Sequence, residues 1–435
     1  MNSINTKKRV LLVTLGCPKN DVDTDILGGI LQTHGLHLVS SSDKADIILI
    51  NTCGFIESAK QESIDTILEA VELKKQKEDL KVYVWGCLSE RYKHEIRDQI
   101  PEVDGFWGVE PFKEMGEYFL GPHFIYNPQN WQTRLISNYS HTAYIKIADG
   151  CNNNCTFCMI PAIKGDFRSR ELTDIKAEAQ MLASKKVKEL HLIAQDTTAY
   201  GRDLPYDANL STLLNELKKV EELEWIRILY AYPDSVTDEL IQIIADEPKI
   251  CNYLDIPLQH ISSHILKSMG RNPDTKKIRM LLDKLRTCIP DLTLRTSFIV
   301  GFPGETEEDF QELINFIEEI KFDRVGCFVF SPEQGTEAFN YDDQIHKEEA
   351  VKRYNQLMET QYEISNELND LYYGKIIKVL IDGYNENNGL FFGRTEGDAL
   401  EIDQTVWVSG EIDIGKFYNV KINRTSAYDL EGYTV

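Results

Sequence analysis

The sequence predicts an α/β protein in three parts: an N-terminal open parallel α/β sheet, a central partial (β/α)6 barrel and a C-terminal small antiparallel β-barrel. Short Val-, Ile- and Leu-rich runs alternate with amphipathic helical patterns in the N-terminal quarter, and the same alternation resumes over six further runs. The final segment contains only short β-rich runs between Gly and Asn turns. A chain of 435 residues suggests about three domains at roughly 150 residues each. We place the three at residues 1–125, 135–370 and 371–435.

Three apolar runs predict the buried strands of the N-terminal sheet: Arg9–Leu15, Ala45–Ile50 and Lys81–Trp85. A cysteine follows each run within a residue or three, and these are Cys17, Cys53 and Cys87. The carboxyl ends of parallel strands meet at one edge of a sheet, which is where ligands bind in open α/β folds. The three cysteines are therefore expected to converge although they are distant in sequence.

A stretch with Pro, Asn and Gly at residues 121–132 predicts a linker. Beyond it, six runs predict the strands of the central barrel: Ala143–Ile147, Glu189–Ala194, Trp225–Ala231, Tyr253–Pro257, Thr293–Val300 and Arg324–Phe330. In β/α barrels the chemistry lies at the carboxyl ends of the strands. A charged helical pattern at His346–Leu371 leads to the last part. Its strands are predicted at Ile376–Ile381, Leu390–Phe392, Thr405–Val408 and Tyr418–Ile422.

Composition excludes disorder, because 42% of the residues are hydrophobic and 27% are charged. The net charge of −23 makes the chain a poor default binder of nucleic acid. The basic residues Lys7, Lys8 and Arg9 precede an apolar run too short for a signal peptide, and no run of about 18 apolar residues would span a membrane. We expect a cytoplasmic protein without a membrane partner, whose reduced thiols are available to metals.

The most specific motif is C-x₃-C-x₂-C, formed by Cys151, Cys155 and Cys158 directly after the first barrel strand. Three thiolates so close on a loop can each bind one iron of a cubane 4Fe-4S cluster and leave the fourth iron open. A zinc knuckle is the alternative, but zinc sites usually have a fourth Cys or His at matching spacing, and the nearest downstream histidine is His191.

The motif resembles that of the radical S-adenosylmethionine (SAM) enzymes. The resemblance implies that the open iron binds the amino and carboxylate groups of SAM, and that one electron from the cluster yields a 5′-deoxyadenosyl radical. This radical abstracts hydrogen from an unactivated carbon, which no side chain does. Phe157, between two of these cysteines, is a candidate neighbour of the adenine, with simple packing as the alternative.

The sequences around the three N-terminal cysteines resemble those of the methylthiotransferases. They are Gly16-Cys17-Pro18-Lys19-Asn20, Asn51-Thr52-Cys53-Gly54-Phe55-Ile56 and Gly86-Cys87-Leu88-Ser89. That family binds a second, auxiliary 4Fe-4S cluster on three such cysteines and carries a small β-barrel, the TRAM domain, at its C-terminus. The resemblance covers essentially the whole chain. On spacing alone, three buried core cysteines are the alternative.

Members of the family modify either an adenosine of transfer RNA or an aspartate of small-subunit ribosomal protein twelve. Two stretches here resemble the second kind: Asn51 to Ser63, and Gln195-Asp196-Thr197-Thr198-Ala199-Tyr200-Gly201. The charge of the C-terminal part also favours a ribosomal protein as the substrate. Residues 371–435 contain six Lys and Arg and ten Asp and Glu, which gives a net charge of −4. An acidic enzyme suits a basic ribosomal protein, alone or in the assembling subunit.

The resemblance implies two uses of SAM: methylation of a sulfur on the open iron of the auxiliary cluster, and formation of the radical that attacks the β-carbon of the aspartate. It also implies a reducing partner of flavodoxin or ferredoxin type. A transfer RNA methylthiotransferase remains the close alternative. A two-cluster electron carrier is a different class, and such proteins normally give each cubane four protein ligands, not three.

Four other residues are candidates to contact the cofactor. Gln195 and Arg295, at or near strand ends, are candidates for the ribose or the methionine carboxylate, with structural roles as the alternative. Gly301 and Gly304 follow the fifth strand and would let the backbone approach the cofactor. The alternative there is a strand-to-helix turn, because a capping box follows at Thr306.

The remaining cysteines and two histidines are expected to play no part in metal binding. Cys251, Cys288 and Cys327 lie in apolar contexts without metal spacing, so we expect three core thiols. His260 and His264 have no cysteine partners at ligand spacing and are expected to be ordinary polar residues.

Overall fold

The computed structural model describes residues 8–136 and 139–435, so Lys7 of the basic N-terminal stretch lies outside the described residues. The chain divides into two compact units. Unit 1 comprises Met1–Asn138, Tyr144–Asn152 and Met159–Met181, and unit 2 comprises Tyr139–Ala143, Asn153–Cys158 and Leu182–Val435.

The strands, in chain order, are β1 (Arg9–Thr14), β2 (His37–Leu38), β3 (Ile47–Thr52), β4 (Lys81–Gly86), β5 (Gly105–Phe106), β6 (Thr142–Lys146), β7 (Ala148–Asp149), β8 (Arg168–Ser169), β9 (Glu189–Ile193), β10 (Trp225–Ile228), β11 (Ile250–Asp255), β12 (Thr293–Val300), β13 (Arg324–Val329), β14 (Ile376–Asn385), β15 (Leu390–Arg394), β16 (Thr405–Ser409), β17 (Phe417–Thr425) and β18 (Asp429–Thr434).

The α-helices are α1 (Pro18–Thr33), α2 (Glu57–Gln76), α3 (Cys87–Gln99), α4 (Phe112–Leu120), α5 (Ile160–Lys164), α6 (Leu172–Ser184), α7 (Leu210–Leu217), α8 (Asp238–Asp246), α9 (Ser263–Ser268), α10 (Thr275–Cys288), α11 (Glu307–Ile320) and α12 (Lys347–Asp370). Among the described residues, no helix combines the length and the apolar character that crossing a bilayer requires.

Unit 1 is built on a parallel five-stranded sheet with the order β2-β1-β3-β4-β5. Every residue of β3 is buried, because helices cover both faces of the sheet and each face has its own hydrophobic core. The three predicted strands are confirmed as β1, β3 and β4. The edge strands β2 and β5 have two residues each, which is too short for a hydrophobic pattern to reveal.

The second sheet, with the order β13-β12-β11-β10-β9-β6, lies in unit 2 except for the last three residues of β6, and its neighbouring strands from β9 to β13 are parallel. All six predicted strands are present, and Thr293–Val300 has the predicted bounds. The sheet is open, with β6 and β13 at its edges, as the predicted partial barrel requires. The predicted helix at His346–Leu371 is confirmed as α12.

The C-terminal part of unit 2 is a closed five-stranded barrel with the order β14-β15-β16-β18-β17. The four predicted strands are present, and β18 is an additional one. Seven fully buried Val, Ile and Leu side chains fill its interior. The α/β fold class with a small C-terminal β-barrel is therefore confirmed. Contrary to the prediction, the barrel is not antiparallel throughout, because β16 and β18 pair in parallel.

Buried ion pairs attach this barrel to the open sheet within unit 2. Glu189, the first residue of β9, accepts hydrogen bonds from Arg227 of β10 at 3.0 Å and from Arg394 of β15 at 2.7 Å. Asp398, in the β15–β16 connection, accepts from Arg324 at 2.8 Å, where β13 begins. The connection between β15 and β16 thus lies against the amino ends of the sheet strands.

Two sequence expectations need correction. The predicted linker at residues 121–132 leads into a short 3₁₀-helix, Asn130–Thr133, in which Trp131 is buried. Cys288, predicted to be a core thiol, is exposed, whereas Cys251 and Cys327 are buried as expected. Cys288 is the last residue of α10, and its apolar neighbour Ile289 is buried in its place.

Candidate functional site

Cys17, Cys53 and Cys87 follow three adjacent strands of the unit 1 sheet. Cys17 caps the start of α1 after β1, Cys53 follows β3, and Cys87 begins α3 directly after β4. The strands are in parallel register, with Thr14 opposite Asn51 and Thr52 opposite Gly86. The fold therefore brings the three cysteines to one edge of the sheet, as predicted.

Glycines allow the three loops to approach closely. Gly16 has a φ of +94°, and a Cβ at this position would lie 2.6 Å from Cys53 Cβ and 2.8 Å from its Sγ. A Cβ on Gly54 would lie 2.7 Å from the backbone of Leu88, the residue after Cys87. A side chain at either position would therefore separate the cysteines.

Buried amides connect the same loops. Asn51 Nδ2 donates to the carbonyl of Asn20 and to Thr24 Oγ1, both at 3.0 Å. Asn20 Nδ2 donates in turn to the carbonyl of Leu15 at 2.8 Å. Ser63 of α2 accepts from the Cys53 amide at 3.1 Å and donates to its carbonyl at 2.9 Å. These bonds orient the loops that carry Cys17 and Cys53 before any metal is bound.

The thiols of this triad influence one another. Burial raises the pKa of Cys53, and the neighbouring Cys17 raises it further. Burial also raises the pKa of Cys87 to about 12, although the ammonium of Lys164 acts in the opposite direction. Thiols held protonated in this way become good ligands when a metal displaces the proton and compensates the negative charge.

The arrangement fits an iron–sulfur cluster better than a single ion. Among residues 8–136 and 139–435, no three His, Cys, Asp or Glu side chains surround one metal-ion position. In a cubane each thiolate binds a different iron, so the ligands need not meet at one point. Three partly or fully buried free thiols around a common edge suit three irons of such a cluster.

The second triad lies on the segment that follows β7, with Cys151 in unit 1 and Cys155 and Cys158 in unit 2. In unit 1, the Cys151 amide donates to the carbonyl of Gly165 at 3.2 Å. Asn152 Oδ1 accepts from the Phe167 amide at 2.9 Å. The residues after α5 therefore hold the start of the motif.

In unit 2, Thr156 anchors the rest of the motif. Its amide donates to the carbonyl of Met269 at 3.1 Å, and its own carbonyl accepts from the Ala338 amide at 2.9 Å. Asn153 Nδ2 donates to Asp196 Oδ2, at the carboxyl end of β9, at 3.0 Å. The loop is thus fixed by contacts on both sides of the two cysteines.

Arg271 lies beside this triad, and sequence reasoning missed it. Its Nη1 is 3.7 Å from Cys155 Sγ, and its Nη2 donates to the carbonyl of Pro257 at 2.9 Å. The guanidinium is 4.5 Å from the centre of the Tyr232 ring. A fixed cation beside a cluster ligand can bind a carboxylate there. In the sequence, Arg271 lies in a polar turn with no motif that indicates this position.

The predicted cofactor residues lie in different surroundings. Phe157 packs edge-to-face on Phe302, with ring centres 6.4 Å apart. Gln195 follows β9 and precedes Asp196, which is bonded to the cysteine loop. Arg295 lies near the amino end of β12 and forms ion pairs with Asp255 at 2.9 Å and Asp403 at 3.3 Å. Its charge is therefore already compensated within unit 2.

Gly301 and Gly304 form the turn between β12 and α11, and both have positive φ. A Cβ on Gly301 would lie 2.3 Å from Ala350 Cβ of α12, so the close approach here is to a helix. Glu305 Oε2 accepts from the Gly301 amide at 2.8 Å. The predicted capping box at Thr306 is present. These contacts account for the glycine at position 301 by its place in a strand-to-helix turn, the alternative given above.

The two histidines expected to be ordinary polar residues lie near this turn. His260 is fully buried, and burial lowers its pKa to about 3, so its ring is neutral. Its Nδ1 accepts from the Ser262 amide at 2.9 Å. His264 is exposed and lies 3.4 Å from Asp309.

Three family matches cover most of the chain. The family described as "Uncharacterized protein family UPF0004" matches residues 9–108, which include the first cysteine triad. The Radical SAM superfamily matches residues 145–317, which include the second. The TRAM domain matches residues 374–435, the closed barrel.

Known proteins resemble the chain as a whole. It is 46% identical over 98% of both chains to a protein of Clostridioides difficile named ribosomal protein uS12 methylthiotransferase RimO. It is 45% identical over 100% of both chains to a protein of the same name from Citrifermentans bemidjiense.

Among solved structures, the radical S-adenosylmethionine methyltransferase TsrM from Kitasatospora setae matches with a TM-score of 0.57 at 15% identity. The match covers 76% of this chain and 77% of that one, and it supports the fold. The identity across full-length relatives, together with the two cysteine triads, shows that this chain belongs to the ribosomal protein uS12 methylthiotransferase family.

Proposed function

We propose that this chain adds a methylthio group to the β-carbon of an aspartate in ribosomal protein uS12. The observation that carries the proposal is the presence of two separate cysteine triads, each one ligand short of a closed cubane, in a chain whose full-length relatives carry that name. An electron carrier has no use for open irons, whereas a transferase needs them to bind reactants.

Two 4Fe-4S clusters and SAM are the cofactors of this family. Cys17, Cys53 and Cys87 would hold the auxiliary cluster, and Cys151, Cys155 and Cys158 would hold the other. When bound, these groups supply a 5′-deoxyadenosyl radical and a methylated sulfur, chemistry that side chains lack.

The chain's own residues prepare this chemistry. Asn20, Asn51 and Ser63 hold the loops of the first triad in place. The guanidinium of Arg271, fixed against Cys155 and the Tyr232 ring, is suited to bind the methionine carboxylate of SAM. Gln195 and Phe157 remain proposed contacts of the ribose and the adenine.

Charge supports a protein substrate. The net charge is −23 for the chain and −4 for residues 371–435, which form the C-terminal barrel. A basic ribosomal protein is attracted to such a surface, while transfer RNA is repelled by it. We further propose that the substrate is uS12 alone or in the assembling subunit, that a flavodoxin or ferredoxin supplies electrons, and that the reaction takes place in the cytoplasm.

The test is anaerobic reconstitution with iron and sulfide, followed by incubation with SAM, a reductant and either uS12 or transfer RNA. We expect a gain of one methylthio group on an aspartate of uS12, detected by mass spectrometry. Cys53→Ala should still release 5′-deoxyadenosine but transfer no methylthio group. Cys288→Ser is the matched control at an exposed cysteine and should retain both activities. Methylthiolated adenosine with unmodified uS12 would overturn the proposal.

A further inference from the structure

Four buried charges form a ring in unit 1, close to the first triad. Lys146 Nζ lies 2.5 Å from Asp23 Oδ1 and 2.9 Å from Asp149 Oδ2. Lys164 Nζ lies 3.6 Å from Asp23 Oδ2 and 3.5 Å from Asp149 Oδ2. The side chains of all four residues are at most 8% exposed. Each carboxylate is therefore shared between two ammonium groups.

The two lysines are not equivalent. Lys146 donates hydrogen bonds to both carboxylates at short distance. Lys164 is 4% exposed, and in the part of the chain that the structure describes its ammonium has only the two longer ion contacts. A buried ammonium has three N–H donors and normally uses them, so Lys164 retains donors for a further acceptor.

Helix α5 places Lys164 beside the auxiliary site. Met159, just before α5, and Ile163, within it, pack directly against Cys87, and Lys164 is the next residue. Burial acts to lower the pKa of Lys164, but the carboxylates of Asp23 and Asp149 outweigh burial and hold that pKa above its ordinary value. The Lys164 charge is close enough to act on Cys87. Lys164 therefore remains a cation whose field reaches the triad.

We propose that Lys164 is a positioning residue that stabilises an anionic sulfur ligand, either hydrosulfide or an alkylthiolate, at the open iron of the auxiliary cluster. An anion that enters a buried site loses its hydration, and a fixed ammonium with unused donors offsets that loss. An iron–sulfur bond would form as a solvent water molecule leaves the open iron, so no oxidation state changes and no oxidant or reductant is needed. The inference rests on the proposed function, because it assumes that the triad of Cys17, Cys53 and Cys87 holds a cluster.

The experiment uses the full-length chain carrying Cys155→Ala, so that the auxiliary cluster alone is observed. The reconstituted protein is titrated separately with sodium sulfide and sodium methanethiolate, and binding is followed by electron paramagnetic resonance of the reduced cluster. We expect Lys164→Met to raise the Kd of the natural ligand class at least tenfold, which is about 1.4 kcal/mol. If only one Kd rises in Lys164→Met, that titration identifies the ligand as hydrosulfide or as alkylthiolate. If both Kd values rise, Lys164 stabilises anionic sulfur ligands in general.

Lys81→Met is the matched control. Lys81 also forms an ion pair, with Asp104, but it is at the amino end of β4, the strand that leads to Cys87 at its other end. This variant should bind both ligands within about threefold of the parent. Lys164→Arg, which keeps the positive charge, should recover most of the affinity lost in Lys164→Met.

An unchanged Kd for both ligands in Lys164→Met, with about four irons per chain, would overturn the proposal. Should that variant lose the iron, Lys164→Gln is titrated in the same way; loss of iron in both variants would mean that the ammonium is needed for the cluster itself and would equally overturn it. No uS12 is present in these titrations. The two proposals can therefore fail separately. If Lys164→Met raises the Kd tenfold but the reconstituted enzyme does not modify uS12, only the proposed function is refuted. If the enzyme modifies uS12 but the Kd values are unchanged in Lys164→Met, only this inference is refuted.

Discussion

Replacing Gly16 with alanine should remove the auxiliary cluster and leave the radical SAM cluster in place. Gly16 has a φ of +94°, and its added Cβ would lie 2.6 Å from Cys53 Cβ and 2.8 Å from its Sγ. Carbon atoms in contact prefer 3.5–4.0 Å, so the side chain of Cys53 or the loop must move by about 1 Å. Metal–ligand distances tolerate about 0.2 Å. A displacement several times larger should prevent Cys53 from binding its iron.

The matched control is Gly374→Ala. Gly374 has a φ of +78°, but nothing lies within 4 Å of a Cβ placed there. Both substitutions therefore carry the left-handed backbone strain, about 1–2 kcal/mol, and only Gly16→Ala adds the collision with Cys53. The control separates loss of stability from loss of the ligand geometry.

The assay is iron content after anaerobic reconstitution, together with 5′-deoxyadenosine release from SAM. The unaltered chain and Gly374→Ala should hold about eight irons, and Gly16→Ala about four. All three should release 5′-deoxyadenosine, because Cys151, Cys155 and Cys158 are untouched. A Gly16→Ala protein with about eight irons would refute the reasoning from the close approach of Gly16 to Cys53.

Three further outcomes follow from individual contacts. Cys155→Ala should abolish 5′-deoxyadenosine release yet retain about four irons on the other triad, and continued release would contradict the ligand assignment. Glu189→Gln leaves the buried Arg227 without its carboxylate partner and should destabilise unit 2 by about 3–5 kcal/mol, measured by chemical denaturation. A loss below about 1 kcal/mol would show that the Glu189–Arg227 pair is dispensable. Arg9 lowers the pKa of Asp46 to about 2 from 3.8, so this carboxylate contributes stability above its ordinary pKa that is lost as the pH falls towards about 2. The difference in denaturation midpoint between the unaltered chain and Asp46→Asn should shrink over that range, and a difference independent of pH would exclude the pair as its source.

Much of the fold was predictable because strands and cysteines follow local rules. Buried parallel strands such as β12 are continuous apolar runs, and a capping box at Thr306 needs only four residues to be recognised. The convergence of Cys17, Cys53 and Cys87 followed from the rule that parallel strands end at one edge. These features depend on neighbours in sequence or on a general property of parallel sheets.

The features that escaped prediction depend on partners far along the chain. Lys146 is 123 residues from Asp23, and although it lies within the predicted strand Ala143–Ile147, nothing in the local sequence indicates its partner. The same holds for Arg271, which is 116 residues from Cys155. Cys288 was misjudged because an apolar neighbour, Ile289, suggested burial, whereas the end of α10 leaves the thiol itself exposed. Helix ends and long-range ion pairs leave weak local signals.

The C-terminal barrel lies against the amino ends of β9 and β13 in the open sheet of unit 2, a role that its family name alone does not suggest. Arg394, the last residue of β15, and Asp398, in the β15–β16 connection, form buried pairs with Glu189 and Arg324 at the amino ends of the sheet strands. Removing either partner of such a pair leaves an uncompensated buried charge, so the barrel and the sheet form one cooperative structure. The opposite ends of the strands carry the cysteine loop and its contacts. The chemistry of unit 2 is therefore expected at the carboxyl ends of its strands, at the opposite end of the sheet from the barrel contacts.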